Sequence, residues 1–168
     1  ELEKLYVEQS FVTKYSDIIA KCEPNVILLS KPAFDKISDT VTSQGIIAEV
    51  KMRPSLDFHI TEPILVLDRI SDPGNMGTII RTAAATGFRD IVLIDCCDPY
   101  NPKTVRSSSG GIFYVDLYPI SVDELFDECK KTNTKIYITD MAGENIFKMQ
   151  NIDEKYALVI GNEGGGVS

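Results

Sequence analysis

Histidine is almost missing from this chain of 168 residues, since His59 is the only one. A Ser-His-Asp or Cys-His mechanism would therefore have to depend on that single side chain. His59 lies in Asp57-Phe58-His59-Ile60-Thr61, a stretch typical of a connector before a strand. We expect it to be a solvated linker residue.

Cysteine is sparse, and its spacing suits neither a metal site nor a disulfide framework. No two of the four cysteines form a C-x-x-C pair, and the adjacent Cys96 and Cys97 are poorly placed to hold one tetrahedral zinc ion. Small secreted proteins that depend on disulfides carry denser and more evenly distributed cysteines. We therefore expect reduced thiols, a cytoplasmic location and no bound metal.

Long apolar runs and an excess of basic residues are also missing. No stretch approaches the roughly 20 apolar residues that span a bilayer, and the first residues, Glu1 to Lys4, lack the layout of a secretory signal. The 17 Lys and Arg residues against 25 Asp and Glu residues give a net charge of −8. This balance argues against a protein that binds any nucleic acid through a cationic surface.

Short apolar runs alternate with helical patterns, which predicts an α/β fold. Continuous β-branched runs are typical of a parallel sheet that is covered on both faces. The predicted strands are Val26–Leu29, Ile46–Val50, Ile64–Asp68, Ile91–Asp95, Phe113–Leu117, Lys135–Thr139 and Ala157–Ile160. The predicted helices are Phe11–Cys22, Pro32–Ile37, Asn75–Thr86 and Val122–Lys131. A Pro- and Ser-containing stretch predicts a small domain at 1–53, a linker at 54–62 and a larger domain at 63–168.

The first segment that could carry chemistry runs from Leu67 to Arg81. Here an apolar strand ends at Asp68, a turn of Asp, Pro, Gly and Asn follows, and a helix begins. Ligands bind at the carboxyl ends of strands in open α/β sheets. We expect Asn75 to cap the helix and Arg81 to lie one to two turns further along it. The alternative is an ordinary tight turn in which Arg81 is a solvated helix residue.

A second segment, Lys103 to Gly111, combines positive charge with hydroxyl groups and glycines. No acidic residue occurs from Pro99 through Val115. Backbone amides, hydroxyls and cations suit a phosphate backbone, so the predicted RNA-binding residues are Lys103, Arg106, Ser108 and Ser109. A flexible surface loop is an equally good interpretation of this segment by itself.

In the third segment, Leu158 to Ser168, an apolar strand runs directly into a glycine-rich turn. The turn has neither the Gly-Lys-Ser/Thr ending of a P-loop nor the Gly-x-Gly-x-x-Gly dinucleotide pattern. Its glycines allow backbone to approach a ligand closely, and Glu163 places a carboxylate among them.

Together the three segments resemble the SpoU (TrmH-like) family of RNA ribose 2′-O-methyltransferases in the SPOUT superfamily. Asp72 to Arg81 matches the family pattern D-P-x-N-x-G-x-I-x-R in full, and Gly161 to Ser168 matches G-N-E-x-x-G-[VLI]-S. The first 53 residues look like the ribosomal-protein-like α/β RNA-binding domain of many members. The resemblance implies a SPOUT parallel sheet with a C-terminal trefoil knot. The family's third motif does not occur in the sequence, so we expect the tail to be incomplete.

The resemblance also implies a reaction, the transfer of a methyl group from S-adenosylmethionine to a ribose 2′-hydroxyl of RNA by a homodimer. Ribosomal RNA is the expected substrate, with transfer RNA as the alternative. Arg81 matches the family's catalytic base, although a guanidinium is normally always protonated and a positioning role stays open. Asn75 matches a residue that orients Arg81, and Glu163 matches one at the substrate side. The expected cofactor-binding residues are Thr139, Asp140, Met141, Ala142, Gly161, Asn162, Glu163 and Gly164. A non-catalytic module that binds RNA or the cofactor is the alternative function.

Overall fold

A computed structural model describes residues 1–52 and 57–168 of the chain. The chain divides into two compact units, Glu1–Pro54 and Ser55–Ser168. The predicted linker, 54–62, falls partly outside the described residues, and its described part belongs to the second unit. There Ile60 is buried in the core and the Phe58 ring lies 5.1 Å from the Tyr118 ring. No helix in the described ranges is long and apolar enough to cross a membrane.

The first unit is a three-stranded sheet with two short helices. Its elements are β1 (Leu2–Glu8), α1 (Ser16–Cys22), β2 (Val26–Leu29), α2 (Lys31–Ile37) and β3 (Ile46–Val50). The central strand, β1, is parallel to β2 and antiparallel to β3. Leu5, Val7 and Phe34 form its buried centre. The strand predictions omitted β1 because Glu3 and Lys4 mask its short apolar alternation.

The second unit is a five-stranded sheet in which every pairing is parallel. Its elements are β4 (Ile64–Asp68), α3 (Pro73–Thr86), β5 (Asp90–Ile94), α4 (Pro102–Ser107), β6 (Asp116–Pro119), α5 (Val122–Thr132), β7 (Lys135–Ile138) and β8 (Tyr156–Ile160). The strand order is β6-β5-β4-β8-β7, so β4 and β8 are neighbours although they are far apart in the sequence. The α/β prediction with a parallel sheet is confirmed.

The central strand β4 is buried along its whole length, as a strand covered on both faces must be. On one face Leu65 and Leu67 pack in a cluster with Met76 and Ile80 of α3. On the other face its alternate side chains join a second cluster that includes Leu125 of α5. The two clusters fix the helices on opposite sides of the sheet.

Two predicted element boundaries are wrong by several residues. The helix predicted from Phe11 begins at Ser16, because residues Gln9–Phe11 form a separate 3-10 turn. The strand predicted from Phe113 begins at Asp116, because Gly111–Phe113 forms another 3-10 turn. In addition, the second segment, Lys103 to Gly111, is not a flexible loop, because most of helix α4, six residues long, lies in it.

Candidate active site

Two loops meet where the adjacent strands β4 and β8 end. The residues after β8 close into a small loop, since the backbone N–H and C=O groups of Asn162 and Gly166 bond to each other at 3.0 and 2.9 Å. The side-chain amide of Asn162 donates to the Arg69 carbonyl at 2.8 Å, just after β4. The glycine-rich loop is thus attached to the turn that leads into α3.

Asn75 and Glu163, one from each motif, form a direct hydrogen bond. The Asn75 amide donates to Glu163 Oε1 at 3.0 Å, across 88 positions of the sequence. The structure therefore brings together two of the three predicted catalytic residues. The Asn75 amide orients the Glu163 carboxylate, which is otherwise exposed beyond the carboxyl ends of β4 and β8.

Asp72, rather than Asn75, is the N-cap of α3, so the predicted capping role of Asn75 is wrong. The Asp72 side chain accepts from the backbone N–H of Asn75 at 2.9 Å. Pro73 and Gly74 occupy the first turn, which moves Asn75 inside the helix and leaves its side chain available to Glu163. Lys103 Nζ lies 2.9 Å from Asp72 Oδ2. This bond and that from Asn75 hold the pKa of Asp72 below its usual value.

Arg81 lies on the exposed side of α3, directly after the completely buried Ile80. Within the described part of the chain, its guanidinium forms neither a hydrogen bond nor an ion pair. The backbone of Gly111 packs closely against the backbone of Arg81, since a Cβ at Gly111 would lie 2.9 Å from the Arg81 Cα. The structure leaves Arg81 available to a substrate and does not join it to Asn75 or Glu163.

Asp68 and Arg69 at the end of β4 were missing from the predicted site. Asp68 is only 2% exposed, and its carboxylate accepts from the Ser168 backbone N–H at 2.5 Å and from the Ser168 hydroxyl at 3.2 Å. Arg69 has a positive φ of 57°, and its guanidinium donates to the Gly166 carbonyl at 3.3 Å. The sequence signal for these two residues was an acidic residue followed by a basic one at the carboxyl end of a predicted buried strand.

The expected cofactor-binding residues lie at the ends of the neighbouring strands β7 and β8. The backbone N–H and the hydroxyl of Thr139 both donate to the Val159 carbonyl, at 3.1 and 3.0 Å. Asp140 accepts from the Ala142 backbone N–H at 2.6 Å, and Met141 is fully exposed. A Cβ at Gly161 would overlap the backbone of residues 166–167, so only glycine fits there.

The predicted RNA-binding residues divide into exposed and buried positions along α4. Lys103, Arg106 and Ser109 are exposed. Ser108 is completely buried and its hydroxyl donates to the Val105 carbonyl at 2.7 Å. The prediction that Ser108 contacts RNA is therefore wrong: α4 packs tightly on α3, and Ser108 lies in that contact.

His59 is exposed, and its Nδ1 lies 3.3 Å from Glu128 Oε1 on α5. Burial raises the pKa of Glu128, but His59, the Ile60 backbone N–H and Lys131 lower it further, so it stays below the usual value. In the ranges 1–52 and 57–168 no cluster of three or more His, Cys, Asp or Glu side chains could hold a metal ion.

A parallel sheet with both motif loops joined at adjoining strand ends agrees with the SPOUT methyltransferase class that the motifs resemble. Residues 62–168 match the model of the SpoU rRNA Methylase family, and the chain belongs to that family. Residues 1–56 match the model described as RNA 2′-O ribose methyltransferase substrate binding.

Individual relatives agree with this assignment. The chain is 36% identical over 141 residues to the 23S rRNA (guanosine(2553)-2′-O)-methyltransferase RlmP of Bacillus subtilis, covering 83% of this chain and 56% of that protein. It is 33% identical over 150 residues to the mouse mitochondrial rRNA methyltransferase 3, covering 82% of this chain and 34% of the relative. The chain thus spans about half the length, or less, of these curated relatives.

Among solved structures, the fold is similar to that of the SpoU methyltransferase AviRb from Streptomyces viridochromogenes in complex with AdoMet. The TM-score is 0.81 at 25% identity, over 100% of this chain and 68% of AviRb. The AdoMet-bound rRNA methyltransferase from Sinorhizobium meliloti is also similar, with a TM-score of 0.79 at 25% identity, over 99% of this chain and 66% of the other.

Proposed function

We propose that the protein methylates a ribose 2′-hydroxyl of ribosomal RNA with S-adenosylmethionine as the methyl donor. The observation that carries the proposal is the hydrogen bond between Asn75 and Glu163, which joins the two family motifs beyond the carboxyl ends of β4 and β8. The relatives named as rRNA methyltransferases support ribosomal RNA as the substrate.

The residues at the ends of β7 and β8 fit part of a binding site for S-adenosylmethionine. Gly161 has no room for a side chain because its backbone lies against that of residues 166–167, so glycine is needed to close the loop that carries residues 161–164. Ile138 and Met141 add exposed apolar surface that an adenine ring can cover. When bound, the cofactor supplies an electrophilic methyl group. Thr139 to Ala142 and Gly161 to Gly164 would hold it.

Arg81 is the residue that we propose meets the ribose 2′-hydroxyl. Its exposed guanidinium, which has no partner among the described residues, can donate to the hydroxyl oxygen and to the adjoining phosphate, which aligns the nucleophile. A guanidinium holds its proton tightly, so the hydroxyl proton passes to an oxygen of the adjoining substrate phosphate as the hydroxyl oxygen takes the methyl group. Glu163, oriented by Asn75, provides an acceptor for a second substrate group.

The trefoil knot, the homodimer and the cytoplasmic location are further parts of this proposal. The family resemblance supports the knot and the dimer, and four free thiols suit a reducing compartment. Sedimentation velocity of the full-length protein tests the dimer, because a monomer over the working concentration range would contradict it.

Tritium transfer from labelled S-adenosylmethionine to deproteinised ribosomal RNA tests the proposed reaction. We expect the full-length protein to label ribose, and Arg81→Ala to lower the rate by at least a hundredfold. Arg89→Ala is the matched control, since Arg89 is exposed in the same acid-free segment but lies beyond α3. Unchanged transfer by Arg81→Ala would remove the role of Arg81. No transfer by the unchanged protein would favour the non-catalytic module.

A further inference from the structure

Two adjacent aromatic side chains are more than half exposed in the segment that leads into β6. Phe113 is 57% exposed and Tyr114 is 77% exposed, whereas their flanking residues Ile112 and Val115 are 8% and 3% exposed. We call the pair Phe113 and Tyr114 the aromatic shelf. Exposed apolar groups that lie next to one another mark binding sites more often than scattered ones do.

The aromatic shelf is held by a fixed backbone. The backbone N–H of Phe113 donates to the Gly110 carbonyl at 3.1 Å, and that of Tyr114 donates to the Gly111 carbonyl at 2.9 Å. The flanking Ile112 and Val115 belong to the core cluster that also contains Met76 and Ile80. Core packing on both sides therefore holds the backbone of the shelf in place and keeps the two rings at the surface.

The shelf begins next to the proposed catalytic residue Arg81. Gly111, which starts the 3-10 turn carrying Phe113, packs against the backbone of Arg81. A ribose held by Arg81 would thus have its own base, or a neighbouring one, within reach of the turn. Aromatic side chains beside an exposed arginine are a common platform for unpaired RNA bases.

Local charge suits RNA on this surface. Residues 99–115 contain no acid, and the exposed Arg106 lies on α4 in the same stretch. Residues 73–89, which include Arg81, also contain no acid. These acid-free stretches with exposed arginines suit a phosphate backbone, because a cation attracts the charge that each phosphate carries.

We propose that the aromatic shelf stacks an unpaired RNA base at or next to the nucleotide whose ribose meets Arg81. This inference rests on the proposed function. Stacking on an aromatic side chain is tolerant of base identity, because every base has a π-face. The shelf therefore contributes affinity and holds the strand in place.

Tryptophan fluorescence tests the shelf directly, because the chain contains no tryptophan. Tyr114→Trp creates one fluorophore at the shelf, and we expect ribosomal RNA to quench it. Heparin, a polyanion without bases, should leave it unquenched. Phe126→Trp is the matched control, since Phe126 is 46% exposed on the acidic helix α5, and RNA should not affect it. Equal quenching by heparin, or none by RNA, would overturn the proposal.

Steady-state kinetics give an independent measurement. Tyr114→Leu should raise KM for RNA about tenfold with little change in kcat, because stacking on the ring contributes to binding of the base and not to the transfer step. Tyr114→Phe should restore KM, since the ring is kept. An unchanged KM for Tyr114→Leu, with unfolding as in the unchanged protein, would contradict stacking.

Two further outcomes distinguish base stacking from a dimer contact and from the methyl-transfer reaction itself. A fluorescence change of Tyr114→Trp with protein concentration and without RNA, together with a larger sedimenting species, would assign the shelf to a second copy and overturn the proposal. If the full-length protein transfers no methyl group, the proposed reaction fails, while RNA-specific quenching would still support the shelf.

Discussion

Arg69 shows how a single residue can serve the site at a cost to its own backbone. Its φ of 57° lies in the left-handed region, which costs a residue with a Cβ about 1 kcal/mol relative to glycine. In return its guanidinium bonds to the Gly166 carbonyl, while its own carbonyl accepts from Asn162. Both contacts hold the loop that carries Glu163.

Replacing Arg69 with glycine separates backbone strain from side-chain function. Arg69→Gly should change the free energy of unfolding little, because glycine accepts a positive φ while the buried Asp68 loses an ion pair at 3.6 Å. Methyl transfer should fall about tenfold, because the loop loses a hydrogen bond. Denaturant unfolding and tritium transfer measure the two effects.

Asp95→Gly provides the control for this substitution. Asp95 also has a positive φ, 49°, and lies exposed after the neighbouring strand β5. Asp95→Gly should gain stability from the same relief of a positive φ, and its rate of methyl transfer should stay unchanged. Equal transfer rates in the two variants would contradict a positioning role for Arg69.

The contact between helices α3 and α4 depends on the absence of one side chain. At Gly77 an added Cβ would overlap the Ser107 hydroxyl and the Thr104 carbonyl. The helices therefore approach each other more closely than any larger residue would allow, and α4 carries Lys103 to Asp72 at the start of α3. The same contact buries Ser108.

Gly77→Ala should destabilise the protein, although alanine usually stabilises a helix by up to about 1 kcal/mol relative to glycine. We expect a net loss of about 1–3 kcal/mol, the range found for overpacked contacts. Thr78→Ala, one residue along on the exposed face, should change stability by a few tenths of a kcal/mol at most. Denaturant unfolding measures both, and equal stability of the two variants would contradict the close packing.

Helix α5 begins with a complete capping box, as its sequence suggests. The Glu124 backbone N–H donates to the Ser121 hydroxyl at 3.2 Å, and the Ser121 backbone N–H donates to the Glu124 carboxylate at 2.8 Å. The backbone N–H and then the hydroxyl of Ser121 hold the pKa of Glu124 below its usual value.

Ser121→Ala should lower stability by about 1 kcal/mol near neutral pH. A carboxyl with a lowered pKa in the folded state stabilises the fold above its unfolded pKa, and this contribution disappears as the pH falls through the lowered value. The variant keeps the backbone N–H that bonds to Glu124 and loses only the hydroxyl. The difference between Ser121→Ala and the unchanged protein should therefore shrink in acid by the share that the hydroxyl contributes. Urea unfolding at pH 7 and in the acid range measures it, and a constant difference would exclude a contribution of the bond between the Ser121 hydroxyl and Glu124.

At the scale of the whole molecule, charge is distributed unevenly. The net charge is −8, and acids concentrate on α5 at Asp123, Glu124, Asp127 and Glu128. The stretches that carry Arg81 and Arg106 contain none. Part of the acidic total therefore lies on α5, whereas the segments that carry Arg81 and Arg106 are free of acidic residues.

This distribution predicts selective rather than general binding of polyanions. The full-length protein should bind ribosomal RNA in preference to heparin, because non-specific affinity requires many cationic contacts. Competition between labelled ribosomal RNA and heparin at fixed salt measures the preference. Displacement of RNA by heparin at an equal concentration of negative charge would contradict selective recognition.

Local patterns were sufficient for most of the elements. The strands Val26–Leu29, Ile46–Val50 and Ile64–Asp68 occur with the predicted bounds, because continuous β-branched runs carry their own signal. Helix α4 was not predicted, since six residues complete fewer than two turns and leave no period to detect.

The sequence by itself determined the alternating α/β order, the two motifs and the family to which they belong, because these depend on neighbouring residues. Only the tertiary structure decided which groups meet. Asn75 reaches Glu163, and Asp68 reaches Ser168, because β4 and β8 pair side by side although their sequence positions are far apart. Burial of Ser108 likewise follows from the packing of α4. A local pattern records the period of one element, whereas a contact depends on where two elements come to lie.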